Sequence, residues 1–453
     1  MESYIGAAPS TLISQLDYSL KSTAPYVLRR RSVRMYPSSS TSFTPSGTNQ
    51  CRITLAASDE WLDPSTLRFV CTLRNHDGAK YLKPHSANPS SLFQRVRELC
   101  GGTVITDVLC YARTAEAFQQ ILEPSEWQFS EGVLGFGGSQ FGAIDSRVNL
   151  VPDLLSYVPD VKRYPRPGIL KPGASYTCIQ RLLTGMVKSN KLIPLRVCPL
   201  TYELTLESAS RFCWDDTGSQ NYSLENCYML CDLLTLDSSI QNSYMKSLLG
   251  GSALSLIIPS YITIKYPITN AETLAIVVQR AMTRNVAVFV NFNTERDYVT
   301  KFMYPDYADD GGDQLWVAGQ GPYFPPISEA EPSLYDRPFS FQLQLGSKLW
   351  PEQPMNSVAE MYETLRKAVG THNQDVKNIS VERFSYTGDK FIIGVDLEKN
   401  LGDPFSAENT RAGDVLRLVF TGIDTTANLK HCYVHLIGSS VVEIRETGAF
   451  VFD

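Results

Sequence analysis

The chain has 453 residues, 43% hydrophobic and 19% charged, so it can bury a large core and has room for two or three domains. Its 41 Lys and Arg against 47 Asp and Glu give a net charge of −6, the wrong sign for a protein that coats nucleic acid. No run reaches the ~18 apolar residues that a membrane-spanning helix needs.

Residues 1–47 read as an extended arm, rich in Ser, Thr and Pro. Leu12, Ile13 and Leu16 form a short apolar cluster, and Arg29, Arg30, Arg31 and Arg34 form the only basic knot. Pro9, Pro25, Pro37 and Pro45 break any long helix.

Alternation then begins. Cys51, Ile53 and Leu55 share one face of a strand, and Leu67, Phe69, Cys71 and Leu73 share another. The sequence "WLDPST" (61–66) predicts a turn, with Pro64 fixing φ after Asp63. The stretch 112–124 predicts a short helix ended by Pro124, and a Gly- and Pro-rich excursion follows to about residue 175. Strands are predicted again at 175–183 and 199–208, and 210–221 reads as a linker.

The stretch "CYMLCDLLTL" (227–236) is apolar on both alternating faces, which predicts a strand covered on both sides. Asp237, Ser238 and Ser239 can cap a following helix. In that helix Ile240, Tyr244 and Leu248 mark a buried stripe, and Gly250 gives a left-handed stop. Further strands are predicted at 254–266, 274–280, 286–292, 339–345, 391–396, 414–420 and 431–437. A long irregular excursion covers 294–335. In 356–370 Ser357 and Glu360 make a capping box, Val358, Met361, Leu365 and Val369 a buried stripe, and Gly370 the stop. The expected domains are the arm (1–47) and two β sandwiches, at 48–215 and 216–453.

Chemical motifs are scarce. The ten cysteines stand singly, with no C-x-x-C pair, so buried free thiols in a reducing compartment are expected. Asn221 and Asn378 head glycosylation sequons but are expected to stay unmodified, because no signal peptide precedes them. "GGSQF" (137–141) misses the nucleophile elbow at Phe141, and no phosphate-binding loop occurs. His431 and His435 fall ~13 Å apart along a strand, too far for one metal, and are expected on a solvated or interface face. Asp306, Asp309, Asp310 and Asp313 read as an acidic loop tip that lacks EF-hand spacing, with a weak calcium site as the alternative. No enzyme activity, cofactor or metal is expected.

Four blocks carry a family resemblance: 38–75, 193–207 ("IPLRVCPLTYELTLE"), 222–244 ("YSLENCYMLCDLLTLDSSIQNSY"), and 409–422 with the closing "TGAFVFD". Together they resemble the double jelly-roll major capsid proteins of Polinton-like viruses, adintoviruses and virophages. The resemblance implies an all-β chain of two tandem eight-stranded antiparallel jelly rolls with a few short helices. It implies a homotrimeric, pseudo-hexameric capsomer of an icosahedral DNA-virus shell, made in the host cell and located in the virion. The implied partners are neighbouring capsomers and penton and minor capsid proteins. Arg29, Arg30, Arg31 and Arg34 would then meet genome or an inner membrane. The competing expectation is a virion β sandwich that binds carbohydrate or a receptor, since jelly rolls serve both ends.

Overall fold

The computed structural model describes residues 26–82, 84, 88–115, 117–118, 134–135, 170–189, 191–213, 218–269, 271–294, 303–308, 314–316, 339–371, 386, 391–402, 404–411, 415–423 and 429–452. Leu12, Ile13 and Leu16, the "GGSQF" run, Asn378, and Asp309, Asp310 and Asp313 lie outside the described residues.

Among the described residues ten strands occupy the first half: β1 (Val27–Met35), β2 (Ser42–Phe43), β3 (Gln50–Leu55), β4 (Trp61–Asn75), β5 (Phe93–Cys100), β6 (Thr103–Leu109), β7 (Ser175–Gln180), β8 (Ile193–Pro194), β9 (Leu200–Leu206) and β10 (Tyr222–Leu236). One sheet runs β1-β10-β4-β7, with β2 beside β10 and β8 beside β4; the other runs β3-β9-β5-β6. The apolar positions of β3 alternate inward, as its period of two requires. Across the sandwich Phe69 of β4 meets Phe93 of β5 edge-on at 5.5 Å.

The second half holds β11 (Leu254–Pro267), β12 (Thr273–Val278), β13 (Asn285–Thr294), β14 (Met303–Ala308), β15 (Gln314–Trp316), β16 (Ser340–Leu345), β17 (Lys348–Met355), β18 (Ile393–Asp396), β19 (Leu416–Thr421), β20 (Leu429–Arg445) and β21 (Gly448–Phe452). One sheet runs β11-β20-β13-β18, with β21 beside β20, and the other runs β12-β19-β16-β17. β14 and β15 pair as a separate hairpin inside the stretch expected to be irregular. Phe292 of β13 and Phe420 of β19 join the two sheets at 5.2 Å.

The two halves share one connectivity. Letter the four-plus-four strands of each half B to I in chain order, leaving out β2, β8, β14, β15 and β21. The first half becomes β1, β3, β4, β5, β6, β7, β9 and β10; the second becomes β11, β12, β13, β16, β17, β18, β19 and β20. Both then give sheets B-I-D-G and C-H-E-F. With antiparallel pairing throughout, the B–C, D–E, F–G and H–I connections emerge at one end of each sandwich, and C–D, E–F and G–H at the other.

This assignment moves two expected boundaries. β1 lies inside the supposed arm, yet pairs with β10 from Val27–Leu236 to Met35–Met229. It is an edge strand that packs only Val33 and Met35 against the core, so its sequence lacks clean alternation. β10 was expected to open the second sandwich, but it closes the first, between β1 and β4. The sandwiches therefore part after Leu236, not at residue 215.

Local signals fared unevenly. β4 runs through Pro64, and its ladder passes from Arg68–Leu230 to Asp63–Asp232. The intervening residues loop out as a bulge, in which Asp63 Oδ1 accepts from Ser65 N at 3.1 Å. The turn chemistry at Asp63 is correct, but the chain does not reverse. Helix α1 runs Tyr111–Ala115, with 117–118 still helical and 119–124 of the expected helix outside the described residues, and a one-turn helix α2 (Ala209–Phe212) lies in the expected linker.

Helix α3 (Ser238–Leu249) starts where Asp237 accepts from Ser239 N at 2.9 Å. It buries Leu248 alone, whereas Tyr244, expected inside, is 43% exposed with its ring 5.4 Å from Trp61. The helix is a surface connector between strands I and B, so it has one narrow contact line instead of a full apolar face. Its left-handed residue is Gly251 (φ +86°), not Gly250 (φ −76°). Helix α4 (Val358–Val369) follows expectation: Ser357 caps Glu360 N at 3.1 Å, Met361 and Leu365 are buried, and Gly370 has φ +76°. A Cβ on Gly394 of β18 would lie 2.7 Å from Leu365 Cδ1, so glycine there lets α4 approach the sheet.

Candidate assembly surfaces

The first surface lies within the chain. β11 of the second sandwich packs against β6, α1 and the 186–188 turn of the first. Thr114 Oγ1 and Thr263 Oγ1 are 2.6 Å apart, and Thr263 Oγ1 is 2.8 Å from His435 Nδ1. Phe118 meets Tyr261, Phe289 and His435 with ring centroids 5.8, 5.2 and 5.8 Å apart. A Cβ on Gly185 would stand 2.6 Å from Ile258 Cδ1. His435 is thus an interior residue of this seam, and burial depresses its imidazole to about 3.

The seam fixes the relative orientation. Thr114, just past strand F of the first sandwich, meets the late part of strand B and the early part of strand I of the second. Gly101 and Thr103, at the E–F turn, share a 630 Å³ cleft with Thr447–Phe452, just past strand I. The sandwiches therefore stand side by side with the same end up. Both long connections, F–G of the first and D–E of the second, leave and return at that upper end. At the lower end lie α3, the C-terminal hairpin and Tyr26, whose carbonyl accepts from Asp237 N at 3.0 Å.

The arginines lie together on β1. Arg30 Nε donates to Asp232 Oδ2 at 2.6 Å, and Asp63 Oδ2 lies 3.7 Å from its Nη2. Arg31 grips Glu60 at two points, Nε to Oε1 at 2.6 Å and Nη2 to Oε2 at 2.5 Å. That pair raises the guanidinium pKa and holds the carboxyl below its usual range. Arg34 sits 5.1 Å above the Tyr228 ring. Arg29 has no ion-pair partner among the described residues. Three of the four are thus engaged inside the chain, through exposed contacts that solvent and salt screen. A charged edge strand also discourages indiscriminate sheet pairing.

No protein-family model matches the sequence, and no curated protein is similar to it by sequence. Solved structures are similar across the whole chain. PBCV-1 VP54, fitted into a reconstruction of the virophage Sputnik, superposes with a TM-score of 0.62 at 11% identity, covering 96% of this chain and 99% of that one. The Sputnik virophage structure gives 0.55 at 11% identity, with 97% and 92% covered. The Faustovirus major capsid protein gives 0.54 at 9% identity, with 96% and 93% covered.

The fold is a double jelly roll.

Glu98, in the core of the first jelly roll, accepts from the Tyr202 hydroxyl, Thr184 Oγ1 (3.1 Å), Thr106 Oγ1 (3.2 Å) and Met186 N (3.1 Å). Desolvation still raises its pKa, because four donors do not replace bulk water. No group of three or more possible metal ligands occurs among the described residues.

The thiols depart partly from expectation. Cys100 and Cys198 are disulfide-bonded, with Cα atoms 5.4 Å apart at the neighbouring ends of β5 and β9. The other eight cysteines are free, and seven of them are buried. Cys71 and Cys178 stand opposite one another on β4 and β7, with sulfurs 3.4 Å apart. Single spacings in the sequence concealed these pairings, which sheet register alone creates.

Proposed function

We propose that the chain is a major capsid protein whose trimers, pseudo-hexagonal in outline, tile the icosahedral shell of a DNA virus. The observation that carries this reading is the pair of sandwiches with one connectivity, side by side and the same way up. Three such chains place six equivalent sandwiches around one axis. The long upper connections then face outward, and the lower end, with α3, the C-terminal hairpin and Tyr26, faces the interior. Residues 1–25 would enter beneath the shell, where genome, an inner membrane, penton proteins or minor capsid proteins lie. Arg29 and Arg34, which form no ion pair among the described residues, are the members of the basic knot with charge to offer there. The solved neighbours support the reading, since they are capsid proteins of viruses and a virophage.

Mass photometry and negative-stain imaging of the purified protein test it. A particle near three times 50.5 kDa with a hexagonal face is expected. A monomer that binds glycans, or a thin fibre, would overturn it.

A further inference from the structure

Nine of the ten cysteines lie before Leu236, in the first jelly roll, and Cys432 alone belongs to the second, so covalent ties within a sandwich are open to the first only. Three of the nine stand in one buried row across neighbouring strands. Cys71 of β4 is the register partner of Cys178 of β7, and their sulfurs are 3.4 Å apart. On the other side of Cys71 the β10 ladder skips from Glu225–Thr72 to Tyr228–Val70, which sets Cys227 opposite Cys71. Asn226, at φ +49°, belongs to that bulge; the buried positions change from Tyr222 and Leu224 before it to Cys227 and Met229 after it. Ile179 N donates away from β4, to Leu134 O at 2.8 Å. By alternation, Cys71 and Cys178 therefore occupy a position where the two backbones exchange hydrogen bonds. The Cα atoms at such a position stand ~5.5 Å apart, inside the span of a disulfide. The Cα atoms of the bonded pair Cys100–Cys198 are 5.4 Å apart.

We propose that Cys71 and Cys178 form a second disulfide when the chain folds in contact with a small-molecule disulfide. Cys71 Sγ, as thiolate, attacks one sulfur of the reagent RS–SR and releases RS⁻. Cys178 Sγ, as thiolate, then attacks Cys71 Sγ, and the second RS⁻ leaves. The protons lost by the two cysteines end on the two RS⁻. Two protein thiols are thereby oxidised, and one RS–SR is reduced to two RSH. The exchange belongs to the interval before β7 seats. Once the sandwich closes, contact with Cys178 and burial raise the Cys71 thiol, and attack stops. Each sheet of the first jelly roll then carries one covalent tie: Cys100–Cys198 between β5 and β9, and Cys71–Cys178 between β4 and β7. β7 is an edge strand whose one strand neighbour among the described residues is β4, and it follows the long upper connection. The tie joins residues 107 apart, and closing so long a loop restricts the unfolded chain strongly. It pins β7 and the return of the upper connection.

The test uses the full wild-type chain, refolded once with reduced glutathione and once with oxidised glutathione added. Free thiols are then blocked in denaturant and the unreduced peptides mapped. Native protein held with oxidised glutathione in urea below the unfolding transition gives the same readout without refolding. A Cys71–Cys178 peptide is expected in the oxidised sample, and dithiothreitol should remove it. Folded oxidised protein in which both cysteines are blocked as thiols, keep a glutathione adduct, or in which Cys71 is joined to Cys227, overturns the proposal. Amide exchange at 175–180 should be about thirtyfold slower in the oxidised form, the lower end of what such a tie contributes. Equal rates would show that the bond does not hold β7. Cys178→Ala should erase the difference between the two forms, and a difference that survives overturns the assignment. If that variant does not fold, the wild-type peptide map decides.

Discussion

Thr114 Oγ1 and Thr263 Oγ1, 149 residues apart in the chain, lie 2.6 Å from each other and join the two jelly rolls through one hydrogen bond. Thr114 Oγ1 also contacts Cys110 O at 3.2 Å, and Thr263 Oγ1 contacts His435 Nδ1. Each hydroxyl has one proton. All three contacts are hydrogen bonds only if Thr114 donates to Cys110, Thr263 to Thr114, and His435 Nδ1–H to Thr263. The imidazole is then neutral, with its proton on Nδ1.

Thr263→Val should therefore cost ~1–3 kcal/mol, because it leaves the Nδ1–H without its acceptor in a buried site. Urea unfolding of the variant checks this. An unchanged midpoint would show that the chain of bonds contributes nothing net.

Acid should weaken the fold through His435. Its pKa is about 3 when folded, against 6.5 for the ordinary group, so the unfolded chain takes up the proton first. Its contribution is complete above about pH 6.5 and is lost as pH falls toward 3, by up to ~1.4 kcal/mol per pH unit. Glu98, with its pKa raised, acts in the opposite sense: the fold favours its protonated form, so its contribution declines as pH rises above the ordinary carboxyl range. Comparing unfolding midpoints of wild type and His435→Phe from pH 7 to 4 separates the two. The variant should lack the steeper acid-side decline.

Leu248→Ala should destabilise the chain by ~2–5 kcal/mol, the usual range for a buried leucine. Tyr244→Ala should cost less, since nearly half of that side chain already meets water. A larger loss for Tyr244→Ala would mean that the helix is held by its Trp61 contact instead.

Cys71, Cys178 and Cys432 should resist a thiol reagent until the chain unfolds. Burial raises the Cys432 thiol, and the Cys178 contact together with burial raises that of Cys71, so neither is a thiolate at neutral pH. Labelling of native protein followed by mass spectrometry reads this out. Rapid modification of Cys71 would contradict it.

Truncation at residue 25 should leave the trimer intact and impair shell closure, whereas truncation at 34 should also damage the first jelly roll by removing most of β1. Size-exclusion and particle yield distinguish these. Closed particles at normal yield from the shorter truncation would show that residues 1–25 are dispensable.

Most strands were legible because alternation reports one buried face, as in β3, and the capping box of α4 located that helix to the residue. β1 was not legible. An edge strand that seats two side chains leaves seven positions free for charge and polarity, and Arg29–Arg31 then resembles a tail. β10 was read correctly as a strand and misplaced in the fold, because apolar content says that a strand is covered but not by which partners. His435 shows the same limit: period placed it off the core face of its sheet, and only tertiary packing made that face an interior.

The shared connectivity also sets an order of events during synthesis. In each jelly roll the last strand pairs with the first: β10 with β1 across some two hundred residues, and β20 with β11 across nearly as many. Neither sandwich can seal while its strand I is still inside the ribosome, so each half-built sheet waits with an open edge through most of its own translation. Long-range pairing of this kind is slow and exposes sticky intermediates. Because α3 follows β10 directly, the first jelly roll can finish before the second begins, giving β11 a completed wall to fold against.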